Sequence, residues 1–150
     1  MVRGKFLIAA VIGFMTLLAS SHVFAQADVI EKRQAAMKAN SADAKAIKAA
    51  VESKDYATIE VKAKDIMATA EKIPALFPKG STTGKTKATD AIWEKSDDFA
   101  KAAKNLGKAA SELAATAKAK DDAEIGVKVK ALGDACGSCH KAFRAEKYAE

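Results

Sequence analysis

Four stretches of the chain place apolar or small residues at spacings of mostly three and four, the repeat of a helix with one buried seam. The first, over residues 27–51, carries Ile30, Arg33, Met37, Asn40, Ala44, Ile47 and Val51. The second, 55–76, carries Tyr56, Ile59, Ala63, Ile66, Ala70 and Ile73, with Phe77 continuing the register. The third, 89–118, carries Ile92, Ser96, Phe99, Ala103, Leu106, Ala110, Leu113 and Ala117. The fourth, 121–148, carries Ile125, Val129, Leu132, Cys136, Cys139 with His140, and Phe143. Both prolines, Pro74 and Pro78, lie between the second and third stretches and, with Gly80, end the second helix near Ile73. No stretch reads as a strand. Four such seams in an Ala-rich, charge-interspersed chain predict an all-α fold, an antiparallel, left-handed four-helix bundle.

Local signals refine the picture. Thr86 or Thr89 is a candidate N-cap for the third helix, with Asp90 in its first turn, and Asp121-Asp122 opens the fourth at the favourable end of its dipole. Lys141, Arg144 and Lys147 suit the fourth helix's C-terminal end. Residues 40–43 (Asn-Ser-Ala-Asp) mark a point where the first helix can break. Gly107 interrupts the third at a cost of about 1 kcal/mol against Ala, which suggests that something approaches there. Trp93 flanks its seam as core or boundary packing. The connection over 77–89 contains Gly84-Lys85-Thr86, but only three residues separate Gly80 from Gly84 and no strand precedes them, so it is a crossover loop and not a phosphate loop.

The N-terminus has a different character. Arg3 and Lys5 precede an apolar run from Phe6 to Leu18, and small residues end at Val23-Phe24-Ala25. That is the layout of a secretory signal peptide, cut after Ala25, which leaves residues 26–150 as one domain. The run is too short for a comfortable membrane span, so no stable membrane insertion is expected. Loss of Arg3 and Lys5 lowers the formal charge from +6 to +4. The remaining Lys residues are spread along every segment, as on solvated helices. They make a weakly basic surface suited to acidic redox partners, with no basic-aromatic cluster for nucleic acid.

The chemistry concentrates in Cys136-Gly137-Ser138-Cys139-His140, the C-x-x-C-H pattern of c-type haem attachment. Two thiols three residues apart share a helix face and reach the two vinyl groups of one porphyrin. The imidazole four residues after Cys136 shares that face and binds the iron axially. Gly137 and Ser138 are small enough to let the backbone approach the porphyrin. A redox Cys pair would be expected beside a βαβ unit, and a structural zinc site needs a fourth ligand that no other Cys or His of residues 26–150 supplies. A disulfide across two helical residues would staple almost nothing. The predicted cofactor is therefore one covalently bound haem c per chain, in a protein of the periplasm. No base or nucleophile constellation marks an enzyme.

With His140 the only His after residue 25, a second His ligand is excluded within one chain. Met37 lies on the first seam and faces the haem; Met67 lies beside its own seam as ordinary packing. The polar half of the first seam is unusual, since a purely structural one would hold Leu or Ile there. Arg33, one turn from Met37, either pairs with a haem propionate or snorkels at the bundle edge. Ala-rich seams make a thin core, so the haem-free form is expected to be markedly less stable than the loaded one.

The chain resembles class II c-type cytochromes, the cytochrome c′ and cytochrome c-556 family. Three segments carry the resemblance: the run from Cys136 to Arg144, Ala91-Ile92-Trp93-Glu94, and Arg33-Gln34-Ala35-Ala36-Met37, together with a haem motif close to the C-terminus. It implies haem between the helices of the bundle, His140 as proximal ligand and Arg33 near a propionate; Arg144, one turn past His140, is a candidate for the proximal side by its position. In the cytochrome c-556 branch the Met matching Met37 binds iron and the protein carries electrons. In the cytochrome c′ branch that position stacks over an open iron that binds nitric oxide or carbon monoxide. The run from Ile73 to Ser81 looks more like the cytochrome c-556 branch. Single-electron transfer through a low-spin His140/Met37 haem is therefore the first expectation, and a five-coordinate, high-spin gas-binding haem the alternative. A haem-free helical interaction protein with a redox-active Cys pair is a third reading, separable by a haem stain on a denaturing gel. Members of both branches include homodimers packed through their first two helices, but the uniform Ala/Lys faces here single out no dimer surface, and no feature names a redox partner.

Overall fold

The structure, a computed structural model, describes residues 6–82 and 84–147, with side chains from residue 28 onward. It contains α1 (Phe6–Glu52), α2 (Tyr56–Lys72), a 3₁₀ turn (Pro74–Leu76), α3 (Ala91–Glu94), α4 (Ser96–Ala119) and α5 (Asp122–Phe143). The four long helices are the four seams. α1 starts well before the expected residue 27, because the apolar N-terminal run is itself rich in Ala, Leu and Ile and contains no proline. It also runs through residues 40–43 unbroken. Asn40 faces the interior and Asp43 pairs with Lys62 of α2 at 3.1 Å, so neither diverts the backbone.

Two expectations at the third helix are corrected. Neither Thr86 nor Thr89 caps it: Thr86 accepts from the Ala88 N–H at 3.1 Å, and the Thr89 hydroxyl donates to the Phe143 carbonyl at 3.1 Å. The segment also divides at Lys95, whose N–H closes α3 on the Ala91 carbonyl at 2.9 Å and whose carbonyl opens α4 by accepting from Phe99 at 3.0 Å. Ser96, placed on the seam by its spacing, is therefore exposed. α5 ends at Phe143 and not near residue 148, which lies outside the described residues. Arg144 turns extended and pairs with Ala88 as an antiparallel bridge, the single strand-like pairing among the described residues.

Packing is uneven around the bundle. α2 and α4 meet most intimately, α1 lies on α2, α5 lies on α4, and α1 meets α5 only sparsely. Fully buried Ile59, Ile66 and Leu113 interleave with Ala63, Ala70, Ala110 and Ala117 along the α2–α4 seam. Gly107 belongs to this contact: a Cβ there would stand 3.6 Å from the Ala70 Cβ. At the far end of the bundle, Asp55 caps α2 by accepting from the Thr58 N–H at 3.0 Å, and Asp121 caps α5 by accepting from Glu124 at 3.3 Å. Asp122 accepts from the Tyr56 hydroxyl at 2.9 Å and pairs with Lys54, which ties the α1–α2 turn to the start of α5.

Gly107→Ala should stabilise the fold, because 3.6 Å is ordinary van der Waals contact and the helix regains up to about 1 kcal/mol of propensity; chemical denaturation reads the gain. Hydrogen bonds from Lys54, then Tyr56, hold the Asp122 carboxyl below the usual carboxylate range. A depressed pKa contributes stability above the ordinary carboxylate pKa that disappears as pH falls through the folded value. Asp122→Asn should therefore lower Tm at neutral and alkaline pH, with the wild-type and variant Tm-against-pH curves converging on the acid limb.

Candidate functional site

α5 presents the motif on the face that continues its buried seam. Cys136 and Cys139 are half-buried free thiols packed against the core, and Phe143, one turn on, is buried. Ser138 turns outward and donates back to the Ala135 carbonyl at 3.1 Å. Burial raises the pKa of both thiols, and that of Cys139 is raised further by Cys136. His140 is exposed, and partial desolvation, followed by the nearby Arg144 charge, lowers its pKa. Near neutral pH the motif therefore offers two protonated thiols and a neutral imidazole, the form in which His binds a metal.

The opposite wall comes from α1. Arg33 is buried, at 3% exposure, which excludes snorkelling at the bundle edge. One nitrogen, Nη2, donates to the Ser81 carbonyl at 2.8 Å, and the guanidinium carbon stands 4.6 Å from the centre of the Phe77 ring. Phe77 meets Phe99 edge-on at 4.9 Å, and Phe99 meets Phe143 edge-on at 5.2 Å. This aromatic row joins the Arg33 turn of α1 to the end of α5 across one end of the bundle. Met37, one turn from Arg33, is half-buried against the core. Met67 instead lines a surface cleft between α2 and α4 with Glu60, Lys64, Ala114 and Lys118, as expected for ordinary packing.

The connection between α2 and α4 is strapped down on both sides. On the α1 side, Gln34 donates to the Lys85 carbonyl at 2.6 Å, beside the Arg33–Ser81 bond. On the α5 side, Ala145 donates to the Lys87 carbonyl at 2.8 Å and the Thr89 N–H to that of Phe143 at 3.1 Å. Trp93 donates from its indole nitrogen to the Phe77 carbonyl at 3.0 Å, so its boundary position also fixes the first ring of the aromatic row. Spacing alone reveals neither the row nor the strap. Phe77, Phe99 and Phe143 were each legible as seam residues, but their meeting depends on three helix ends converging.

A haem c belongs between these walls if the residues suit it, and three observations say they do. α1, which carries Arg33 and Met37, and α5, which carries the motif, meet only sparsely. Arg33 Nε and Nη1 are buried without a hydrogen-bond partner, as is Asn40 Oδ1. A Cβ added at Gly137, between the two thiols, would meet nothing within 4 Å.

The cytochrome c′ family model matches residues 28–144. The chain belongs to the cytochrome c′ family, the class II c-type cytochromes. It carries one covalently attached haem c with its iron and is a protein of electron transport. Cytochrome c′ of Rhodopseudomonas palustris is 36% identical over 151 residues, covering 95% of this chain and 99% of that one. Cytochrome c-556 of Agrobacterium fabrum is 35% identical over 133 residues, covering 87% and 89%. Among solved structures, a cytochrome c′ with ligand-controlled dimer dissociation is similar with a TM-score of 0.75 at 28% identity, over 81% of this chain and 97% of that one. The four-helix bundle expected for this cytochrome is thus the fold of its structural relatives.

Trp93→Phe removes the donor to the Phe77 carbonyl while keeping an aromatic ring, and should cost about 1 kcal/mol in urea denaturation.

Proposed function

We propose that this cytochrome holds its haem through thioethers to Cys136 and Cys139, with His140 as the proximal iron ligand and the other face of the iron open to nitric oxide or carbon monoxide. The observation that carries the proposal is the match to a cytochrome c′ over essentially the whole length of both chains. Met37 supports it as a wall residue, since its side chain packs against the buried core. Cys136 and Cys139 would hold the haem through its two vinyl groups, and burial raises the pKa of both thiols. Arg33, with two buried nitrogens unpartnered, is the residue for a propionate. The bound iron supplies one-electron chemistry and a ligand site; the chain itself binds, orients and excludes water, and acts as a carrier or gas binder and not as an enzyme.

A second reading keeps Met37 as the distal iron ligand, in a low-spin haem that only transfers electrons. It is favoured by the cytochrome c-556 relative and by the place of Met37 on the buried seam of α1.

Under both readings the protein is exported to the periplasm after cleavage behind Ala25, leaving residues 26–150 as the mature domain. The family match begins at residue 28, just beyond that point, and no helix among the described residues is long and apolar enough to cross a membrane. Electron donor and acceptor proteins are its partners, and the chain forms homodimers, a proposal supported by the dimer of its structural relative.

The visible spectrum of the holoprotein, ferric and ferrous, before and after carbon monoxide, tests the iron site. We expect a broad high-spin ferrous spectrum that shifts on adding the gas, with Met37→Leu leaving the spin state unchanged. A sharp, split ferrous spectrum unmoved by carbon monoxide in the wild type, and opened to the gas by Met37→Leu, would establish the second reading instead.

A further inference from the structure

Arg33, Met37 and Asn40 occupy successive positions on one stripe of α1, at spacings of four and three. The stripe is buried at both polar ends: Arg33 is 3% exposed and Asn40 is 9% exposed. Arg33 has its protein partners in Ser81 and Phe77 and its proposed cofactor partner in a propionate. Asn40 has none of these. Its Oδ1 is sealed from solvent without a hydrogen bond, although such a group ordinarily costs about 1–3 kcal/mol to leave unpaired.

The neighbourhood offers no structural reason for an amide. The same seam continues with Ala44 and Ile47, which pack as apolar residues do. Asp43, three residues on, is the side chain of this turn that reaches α2, through Lys62. Asn40 therefore neither joins helices nor caps one. A leucine shares the branched outline and would strand no oxygen. One turn of helix, a rise of about 4.5 Å, separates it from Met37 along a face about as long as a porphyrin is wide.

We propose that Asn40 is a distal-side, specificity-determining residue of the haem site, whose carboxamide hydrogen-bonds the diatomic ligand. This rests on the reading that the face of the iron beside Met37 is open. The two ends of a carboxamide have the same outline, and a half-turn of the amide exchanges them. The buried end then presents Nδ2–H as a donor to the ligand's outer atom, while Oδ1 takes the more accessible position. Such a donor favours ligands that carry partial negative charge on the outer atom over those that do not, so Asn40 biases the site among gases of similar size. Met37 supplies the apolar wall and Asn40 the polar contact.

The test uses the ferrous carbon monoxide complex of the full holoprotein, in the wild type, Asn40→Leu and Asn40→Ala, read by infrared spectroscopy and by ligand release. A hydrogen bond to the bound gas lowers its stretching frequency. We expect the carbon monoxide band to move to higher frequency in both variants, with release roughly two- to tenfold faster, the equivalent of one ordinary hydrogen bond. A merely structural role for Asn40 would move thermal stability but not the band. If the wild type binds carbon monoxide and the band is unchanged in whichever variant loads haem, the Asn40 assignment is overturned while the open iron stands. If the wild type does not bind carbon monoxide, the open-face reading fails and this proposal fails with it.

Discussion

A guanidinium buried inside an Ala-rich bundle is the most demanding object in this molecule. Removing a charge from water costs several kcal/mol even after relaxation, and desolvation lowers the pKa of Arg33 accordingly. The fold answers with one backbone carbonyl and one aromatic face. Both come from the connection between α2 and α4. Gly80, at φ +81°, supplies the left-handed turn that brings Ser81 round. The Ser81 hydroxyl donates back to Pro78 at 2.7 Å and holds the bend closed. What would otherwise be a crossover loop becomes a shaped wall because Arg33 needs it.

Around this point the bundle is lopsided. α2 and α4 form a close-packed ridge of Ile, Leu and Ala, on whose two flanks α1 and α5 rest. The aromatic row of Phe77, Phe99 and Phe143 spans one end of the ridge and sets how far apart the outer helices stand there. The cofactor motif and the polar stripe of α1 belong to these outer helices. The division follows from residue size: the small residues of the ridge let α2 and α4 approach closely.

Much of this was legible before any coordinates. The seams from Ile30 to Val51 and from Tyr56 to Phe77 are buried or half-buried along their whole length, because an alternation of three and four places each residue within one stripe. The Cys136–His140 motif and the odd polarity of Arg33, Met37 and Asn40 were visible for the same reason, since local spacing encodes a face. Events between elements were not. The break at Lys95 changes the register by a local backbone geometry that spacing does not report, and so Ser96 left the core. The pairing of Ala88 with Arg144 joins residues far apart in the chain through main-chain atoms, which carry no sequence signature. Arg33 had two readings on the page of residues, and only burial removed one.

The sparse contact between α1 and α5 has a kinetic side. Backbone amides exchange with solvent through openings whose cost reflects local packing, and the best-packed unit opens last. In this bundle that unit is the α2–α4 ridge. α1 and α5, which touch each other least, are the helices with least to lose by parting.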